Sequence, residues 1–563
     1  MEDTEVLAGP TDGVAVPVGP VGSTPEDLAA PSGHRRFPAA EVAVAVAGFV
    51  AFCVVVLTRS TALLEPDDSS YLGSIVALTH GHLWLTTAQV HQLAAELQTR
   101  FGTGLLQWVH LPDGRWISEK NPGYPVYALP FQLLGVLRAA PLVAAGLAST
   151  SLFVAGRRWL GRWGGTWAVL LFLASGAAMA FAWRPTMPTF SDAAFVAAGV
   201  AALLWTLLAD DAPARRRTLA GLAGFLSLEL ATAMRYTDVV VVLVAVATVA
   251  VMARRCRVPL RSLAWWTLSL GVAGGAVGLF NLRIYGGATR TGYGAGVITF
   301  STGAVVPNLR LLPGMLVSAL PGLLLGLAAL VWMAVRLARA RSAAVPPETA
   351  RRWRTDAVVG AWLGLGWLAL WGLYSAYTWT AQMGRGGGPG GPGRPGAFPG
   401  GAVPGGGAPV GGVPVGQLHG GLPSGAMGGQ DIHLIRFYLP AIGIIALLGA
   451  WLLTQLPRWI PAIVVSGLAV FGVLSFHQLT AGGGFGAGGP GVSGIPSGVP
   501  AGVPGGGSGG LPGSRPDGGR PDGPAPFPSG PRPGPPPGGV PAGIPPSGGA
   551  PPAGLGGPGG PGR

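Results

Sequence analysis

The chain has 563 residues, of which 49% are hydrophobic and only 10% charged, with a mean hydropathy of +0.48, and a water-soluble globule has too little polar surface at that composition. A net charge of +13 would suit a nucleic-acid binder, yet the arginines sit in short clusters between apolar runs, as membrane topology demands and a single phosphate-binding footprint does not. Two cysteines, Cys53 in an apolar run and Cys256 in a basic loop, make neither a disulfide framework nor a metal site and read as small apolar filler.

Residues 1–38 are acidic at first, then rich in Pro, Gly and Ser, and end in His34, Arg35 and Arg36. They predict a flexible cytoplasmic tail with no secretory signal, ahead of a first helix that stays in the membrane. That first span is expected over about 39–58, and the more polar, aromatic stretch of 59–138 is expected to be a large loop. Further spans are predicted near 139–156, 165–182, 190–208, 218–234, 237–253, 262–281, 311–335, 357–378, 438–455 and 460–476, about eleven in all. These runs approach the roughly 20 residues that carry a helix across about 30 Å of hydrocarbon, and they lack the alternation of barrel strands, so the expected fold class is an all-α polytopic membrane protein.

Charge supplies the expected orientation. Arg157, Arg158 and Arg162 fall in one connection, Arg215, Arg216 and Arg217 two spans later, and Arg254, Arg255, Arg257 and Arg261 two spans after that. The next alternate connection holds Arg336, Arg339, Arg341, Arg351, Arg352 and Arg354. Basic loops mark the cytoplasmic side, which puts the N-terminus inside, loop 59–138 outside, and, with an odd number of spans, the C-terminal tail outside as well. The tracts 384–430 and 479–563 are dominated by Gly and Pro without a strict every-third glycine, so collagen is excluded and disorder is expected. The first is expected to be an outer-loop insertion between a core of 39–383 and the final spans of 431–478, and the second an outer tail; both read as linkers or wall-spanning segments rather than specific binding modules.

Several polar motifs fall on the outer side. Glu65-Pro66-Asp67-Asp68-Ser69-Ser70-Tyr71 opens the first outer loop. Its acidic pair is either an exposed helix end or a base for an acceptor hydroxyl, with two neighbouring carboxyls able to raise one pKa or share a cation. The loop closes on Glu119-Lys120-Asn121-Pro122-Gly123-Tyr124-Pro125-Val126-Tyr127 followed by Ala128-Leu129-Pro130-Phe131, where three prolines and a glycine predict a bent interfacial segment instead of a regular helix. Lys120 is the only lysine of the chain, too isolated to set topology and suited to meeting a phosphate. Residues 87–98, with His91 and Glu96 on the polar side, read as an interfacial helix and not as a metal site.

Trp183-Arg184-Pro185-Thr186-Met187-Pro188-Thr189-Phe190-Ser191-Asp192 follows, with Asp192 at the mouth of a span. A carboxyl there is costly unless paired or functional. Arg235-Tyr236-Thr237-Asp238 forms a very short outer turn, which holds Arg235 at the interface either to grip an anionic headgroup or to snorkel. A long outer loop then carries Asn281-Leu282-Arg283-Ile284-Tyr285-Gly286-Gly287 and Thr291-Gly292-Tyr293-Gly294, and Arg436-Phe437-Tyr438-Leu439-Pro440, just after His433, begins a late span.

Taken together, these motifs resemble the GT-C glycosyltransferase superfamily, in particular bacterial relatives of protein O-mannosyltransferases (family 39-like) and of the aminoarabinose transferase acting on lipid A. Asp67, Asp68 and Tyr71 resemble the acidic pair and tyrosine of that family's first outer loop; Lys120, Asn121, Pro122, Gly123, Tyr124 and Pro125 resemble its Lys-x-Pro closure. Thr189-Phe190-Ser191-Asp192 resembles its second acidic motif, and Arg436-Phe437-Tyr438-Leu439-Pro440 its Arg-aromatic-x-Leu-Pro start of a late span. The resemblance covers about 40–476 without the Gly/Pro insertion. It implies a GT-C-like helix bundle in the cell membrane and an inverting hexosyl or pentosyl transfer from a polyprenyl-phosphate sugar to a hydroxyl on a glycan, lipid or protein.

In the roles this implies, Asp67 is the general base, Asp68 tunes it or binds acceptor or metal, and Asp192 orients acceptor or donor sugar. Lys120, Arg235 and Arg436 stabilise the leaving phosphate, with Tyr71 and Tyr124 at the donor. No cofactor is expected with certainty; a divalent ion between carboxylates stays open, since no His/Cys/Asp spacing demonstrates one. Membrane lipids, and no nucleic acid, are the other expected partners. The alternatives are a polytopic carrier or flippase for lipid-linked glycans, which needs access from both faces and polar residues deep in its spans, and a non-catalytic scaffold presenting the Gly/Pro segments.

Overall fold

A computed structural model describes residues 39–59, 66–101, 105, 107–111, 113–254, 256, 258–293, 299–342, 344–383 and 434–481. The expected N-terminal tail 1–38, the insertion 384–430 and nearly all of the tail 479–563 lie outside the described residues, as do Glu65, Arg255, Arg257, Gly294 and His433.

The described chain is helical almost throughout, as its hydropathy predicts. Helix α1 is Ala39–Leu57. The loop after it holds α2 (Pro66–Thr79), strand β1 (Trp84–Thr86), α3 (Thr87–Phe101), β2 (Trp108–His110), β3 (Arg115–Ser118) and α4 (Gly123–Leu133). The three strands form a small antiparallel sheet in the order β1-β3-β2, with Trp84 opposite Ile117 and Trp108 opposite Ser118. Then come α5 (Ala139–Leu160), α6 (Gly164–Leu173), α7 (Gly176–Ala182), α8 (Thr189–Leu208), α9 (Ala214–Met234), a 3₁₀ turn (Tyr236–Asp238), α10 (Val239–Met252) and α11 (Leu260–Tyr285). The rest is α12 (Thr302–Ala319), α13 (Gly322–Arg339), α14 (Pro347–Ser375), α15 (Thr378–Met383), a 3₁₀ turn (Leu439–Ala441), α16 (Ile442–Leu453) and α17 (Trp459–Ala481).

All eleven expected spans fall largely on helix, but two are interrupted. The stretch 165–182 is α6 and α7, bent by 65° at Ala174-Ser175, and 311–335 breaks at Leu320-Pro321 between α12 and α13. Among the described residues seven helices are long and apolar enough to cross a membrane, or eight with the bent pair. The Tyr236–Met252 and Leu439–Leu453 segments are apolar but shorter, and α9 starts with three arginines, so the number eleven is not reached by length and composition. The predicted bend at 119–131 is a helix from Gly123 onward. Pro122 caps it and Pro125 sits in its first turn, where a missing N–H costs no intrahelical bond, and of the three prolines only Pro130 is interior.

Helix α8 is the centre of the bundle. Of its most apolar window 83% is buried, against 6% for α11 at the periphery. Its small residues Ala193, Ala194, Ala197, Ala198, Gly199 and Ala201 let α5, α9 and α16 approach closely, the usual way helices pack where lipid offers no hydrophobic incentive. The two helix breaks meet at Ser175, whose hydroxyl donates to Ala319 O at 3.1 Å and accepts the Ala178 N–H at 3.2 Å. A small apolar cleft lies beside them, lined by Leu171, Leu320, Pro321, Ile442, Ile445 and Leu468 among others.

The bundle has two chemically distinct ends. At one, Glu41 is buried between Arg157 and Arg162, Arg158 reaches Leu208 O and Asp211, Trp159 donates to Asp356, and Arg217 donates to Thr206 O and Cys256 O. These are the connections read as basic and cytoplasmic from sequence. Asp192 and Leu208, near the two ends of α8, stand about 24 Å apart, which separates this basic end from the cluster described next.

Candidate active site

The candidate site grows from three connections at the other end. Helix α2 places Asp67 and Asp68 in its first turn, where the helix dipole favours carboxylates. Neighbours on a helix diverge by about 100°, and the two aspartates meet different partners. Asp68 turns inward, fully buried, to the guanidinium of the equally buried Arg184 and to Thr186 Oγ1 at 2.7 Å. Asp67 keeps some exposure, and its carboxylate lies between two cations: Lys120 Nζ at 2.8 Å from Oδ1 and Arg436 Nη1 at 2.9 Å from Oδ2.

Strand β3 delivers Lys120. The Ser70 and Ser118 hydroxyls are hydrogen-bonded at 2.7 Å, and the Lys120 N–H donates to Ser118 Oγ at 3.0 Å. The ammonium donates to Tyr293 OH at 3.1 Å and lies 4.9 Å from that ring's centre. Burial alone would pull its pKa down; Asp67 and Tyr293 outweigh it and hold the ammonium above the ordinary lysine value. Next to it, burial pushes the Glu119 carboxyl up, with Lys120 opposing.

Asn121 ties this segment to the end of α9, donating to Met234 O at 3.1 Å. Gly123 makes the approach possible: a Cβ there would stand 2.6 Å from Ala233 O and from Met234 N. Arg235, extended at φ −144°, then leaves α9 with Nη1 donating to Arg436 O at 2.7 Å and lying 3.7 Å from Asp192 Oδ2. Phe437 lies under both arginines, at 5.2 Å from Arg235 and 4.8 Å from Arg436, and Trp379 faces Arg436 at 5.5 Å. Guanidiniums stacked on rings keep their charge while giving up little hydration.

Contacts therefore link Asp67, Lys120, Arg235, Arg436 and Asp192 in one cluster. Tyr71 and Tyr124 lie behind it, both buried, edge to face at 5.8 Å, with the Tyr124 hydroxyl donating to Pro185 O. His91 and Glu96 stay apart on α3, where Gln92 donates to Glu96. Among the described residues no group of three or more His, Cys, Asp or Glu gathers to hold a metal ion, and the oxygens of Asp67 and Asp68 face Lys120, Arg436, Arg184 and Thr186 where a metal would stand. Sequence reasoning assigned no role to Arg184, Tyr293 or Asp238. For Arg184 a signal existed, since an arginine on the side expected to be poor in arginine is itself an anomaly.

No protein-family model matches the sequence, and no curated protein matches it. Two solved structures are similar. One is ArnT from Cupriavidus metallidurans bound to undecaprenyl phosphate, 14% identical, covering 77% of this chain and 64% of that one with a TM-score of 0.41. The other is ArnT from the same organism in the apo state, 14% identical, covering 78% and 76% with a TM-score of 0.32. The chain thus spans less than two thirds of the first. ArnT is a GT-C glycosyltransferase, the superfamily the motifs resemble; a likeness this distant leaves the chemistry to be argued from the chain's own residues.

Proposed function

We propose that this chain is a membrane glycosyltransferase that moves a sugar from a polyprenyl-phosphate donor to a hydroxyl acceptor, at the face of the membrane opposite the basic loops. The observation that carries the reading is Asp67 held between Lys120 and Arg436, with Arg235 bonded to the backbone of Arg436. A carboxylate alone suits a base and three cations alone suit a phosphate; side by side they suit a reaction that takes a proton from one partner while a phosphate leaves the other. The undecaprenyl phosphate bound to the ArnT structure is a donor carrier of the chemistry proposed here.

Without donor, Lys120 and Arg436 neutralise Asp67. A donor phosphate entering beside them competes for both cations, and each one it takes leaves the carboxylate more basic. The acceptor oxygen then attacks the anomeric carbon, its proton passes to Asp67, and the bond from that carbon to the phosphate oxygen breaks with its electron pair remaining on the phosphate. One displacement inverts the anomeric configuration. Lys120, Arg436 and Arg235 stabilise the charge that builds on the phosphate. Asp68, clamped by Arg184 and Thr186, fixes the start of α2 and so the direction of Asp67. No step is routed through a metal, because cations of the protein face these carboxylates. The positive-inside distribution supports an outer-face site, since the arginine-rich connections gather at the far end of α8.

The test is transfer from radiolabelled polyprenyl-phosphate sugars in membranes carrying the full chain. Asp67→Asn is expected to abolish transfer while leaving expression normal. Full activity in that variant removes Asp67 as the base, and a broad donor panel giving no transfer with the unaltered chain removes the enzyme reading in favour of a carrier or scaffold.

A further inference from the structure

Behind the ion-pair layer lies a second charged group that the proposed reaction does not use directly. Asp192 is in the first turn of α8, Asp238 ends the 3₁₀ turn after α9, and their carboxyls face each other. Both are buried, at 0% and 1% exposure. Among the described residues none of their four carboxyl oxygens accepts a hydrogen bond. The cation beside them is Arg235, 3.7 Å from Asp192 Oδ2. Arg235 Nη1 also donates to Arg436 O at 2.7 Å, and the hydroxyls of Tyr374 of α14, hydrogen-bonded to Thr237, and of Tyr71 of α2 are near its guanidinium.

Two carboxylates facing each other away from water, with one guanidinium beside them, repel strongly because the low dielectric of the interior screens them little. A proton held between them removes that repulsion, gives one carboxyl oxygen a donor, and leaves a single negative charge to match Arg235. We propose that Asp192 and Asp238 hold one proton between them, so that the trio with Arg235 carries no net charge, and that Asp238 is a positioning residue that fixes the guanidinium of Arg235. The connection from α9 to α10 contributes both members: Arg235 and Asp238 are the two ends of a four-residue turn, so the residue that presents the cation is anchored by its own turn to the start of α8. The proton belongs to the pair and titrates with it. The charge balance needs only the buried geometry, whereas what Arg235 is offered to rests on the proposed function.

The experiment uses the full-length protein in lipid nanodiscs with aspartate labelled by ¹³C at its side-chain carboxyl, read by infrared difference spectroscopy. At neutral pH the unaltered chain is expected to show a labelled carboxylic-acid band, and Asp192→Asn and Asp238→Asn are each expected to lose it, since either leaves one carboxylate opposite one guanidinium. Absence of the band in the unaltered chain overturns the proposal without any variant. Its persistence in either variant overturns the sharing. For the positioning role, Asp238→Asn is expected to raise the donor KM more than it lowers kcat, with Asp238→Glu recovering part of the loss; an unchanged KM overturns that role. If the unaltered chain transfers no sugar, the proposed function fails and the band still decides the trio.

Discussion

Replacing Arg184 with methionine removes the guanidinium facing Asp68, where both side chains are almost wholly buried at 1% and 0% exposure. A buried carboxylate deprived of its counter-charge costs about 3–5 kcal/mol, far more than the pair contributed, because the desolvation already incurred is no longer offset. The Thr186 hydroxyl at 2.7 Å remains and recovers about 1 kcal/mol, so a loss near the lower end of that range is expected. The diagnostic is the double variant. Asp68→Asn placed in the Arg184→Met background removes the stranded charge and is expected to restore at least half of the lost stability, although it is a second substitution in the same core. Equilibrium unfolding of the purified protein by SDS in mixed micelles, followed by tryptophan fluorescence, measures both. If Asp68→Asn adds its own loss to that of Arg184→Met, the two residues are not balancing charges and the argument for a clamped α2 fails.

Three further outcomes follow from the same geometry. Lys120→Met is expected to reduce transfer by about 10²-fold, the cost of removing one preorganised donor to a developing oxyanion, with Lys120→Arg retaining part of the activity; steady-state kinetics with a polyprenyl-phosphate sugar checks it. Gly123→Ala is expected to destabilise the fold by about 1–3 kcal/mol, since its Cβ would stand 2.6 Å from Ala233 O, and the same SDS titration reads it. Glu119, pushed up by burial, is easier to ionise in the unfolded chain, so its ionisation works against folding as pH rises past about 4.3. Glu119→Gln should therefore match the unaltered chain below about pH 4 and be the more stable of the two near neutrality; the reverse order refutes the assignment.

Much of the helical fold was legible because bilayer-length apolar runs leave the backbone few alternatives. What hydropathy could not show was interruption: averaging over a window hides the bend at Ala174-Ser175, and although Pro321 marked the second break, its neighbours are apolar enough to read through. The proline-rich stretch 119–131 misled for a local reason, since proline breaks a helix interior and is harmless at its first turn. The small sheet went unread because strands of three or four residues, Trp84–Thr86 among them, are too short for alternation to register.

In the site, sidedness alone gathered Asp67, Lys120, Asp192, Arg235 and Arg436, because their motifs were expected at one face. Which carboxyl meets which cation was not legible. Asp68 and Arg184 are 116 residues apart and Asp67 and Arg436 are 369, and no local pattern encodes such pairings. Nor does sequence separate two adjacent aspartates into one that is buried and one that is accessible; that division comes from the turn of α2 and the neighbours it meets.

The meeting of two helix breaks at Ser175 gives the bundle a fulcrum. One hydroxyl latches the elbow between α6 and α7 to the elbow between α12 and α13, so neither can flex without straining the other. Beyond that latch α7 acts as a short lever arm ending in the loop that carries Arg184. With Arg184 nine positions beyond Ser175, a tilt of about 10° at the elbow swings the guanidinium by about 2 Å, enough to part it from Asp68.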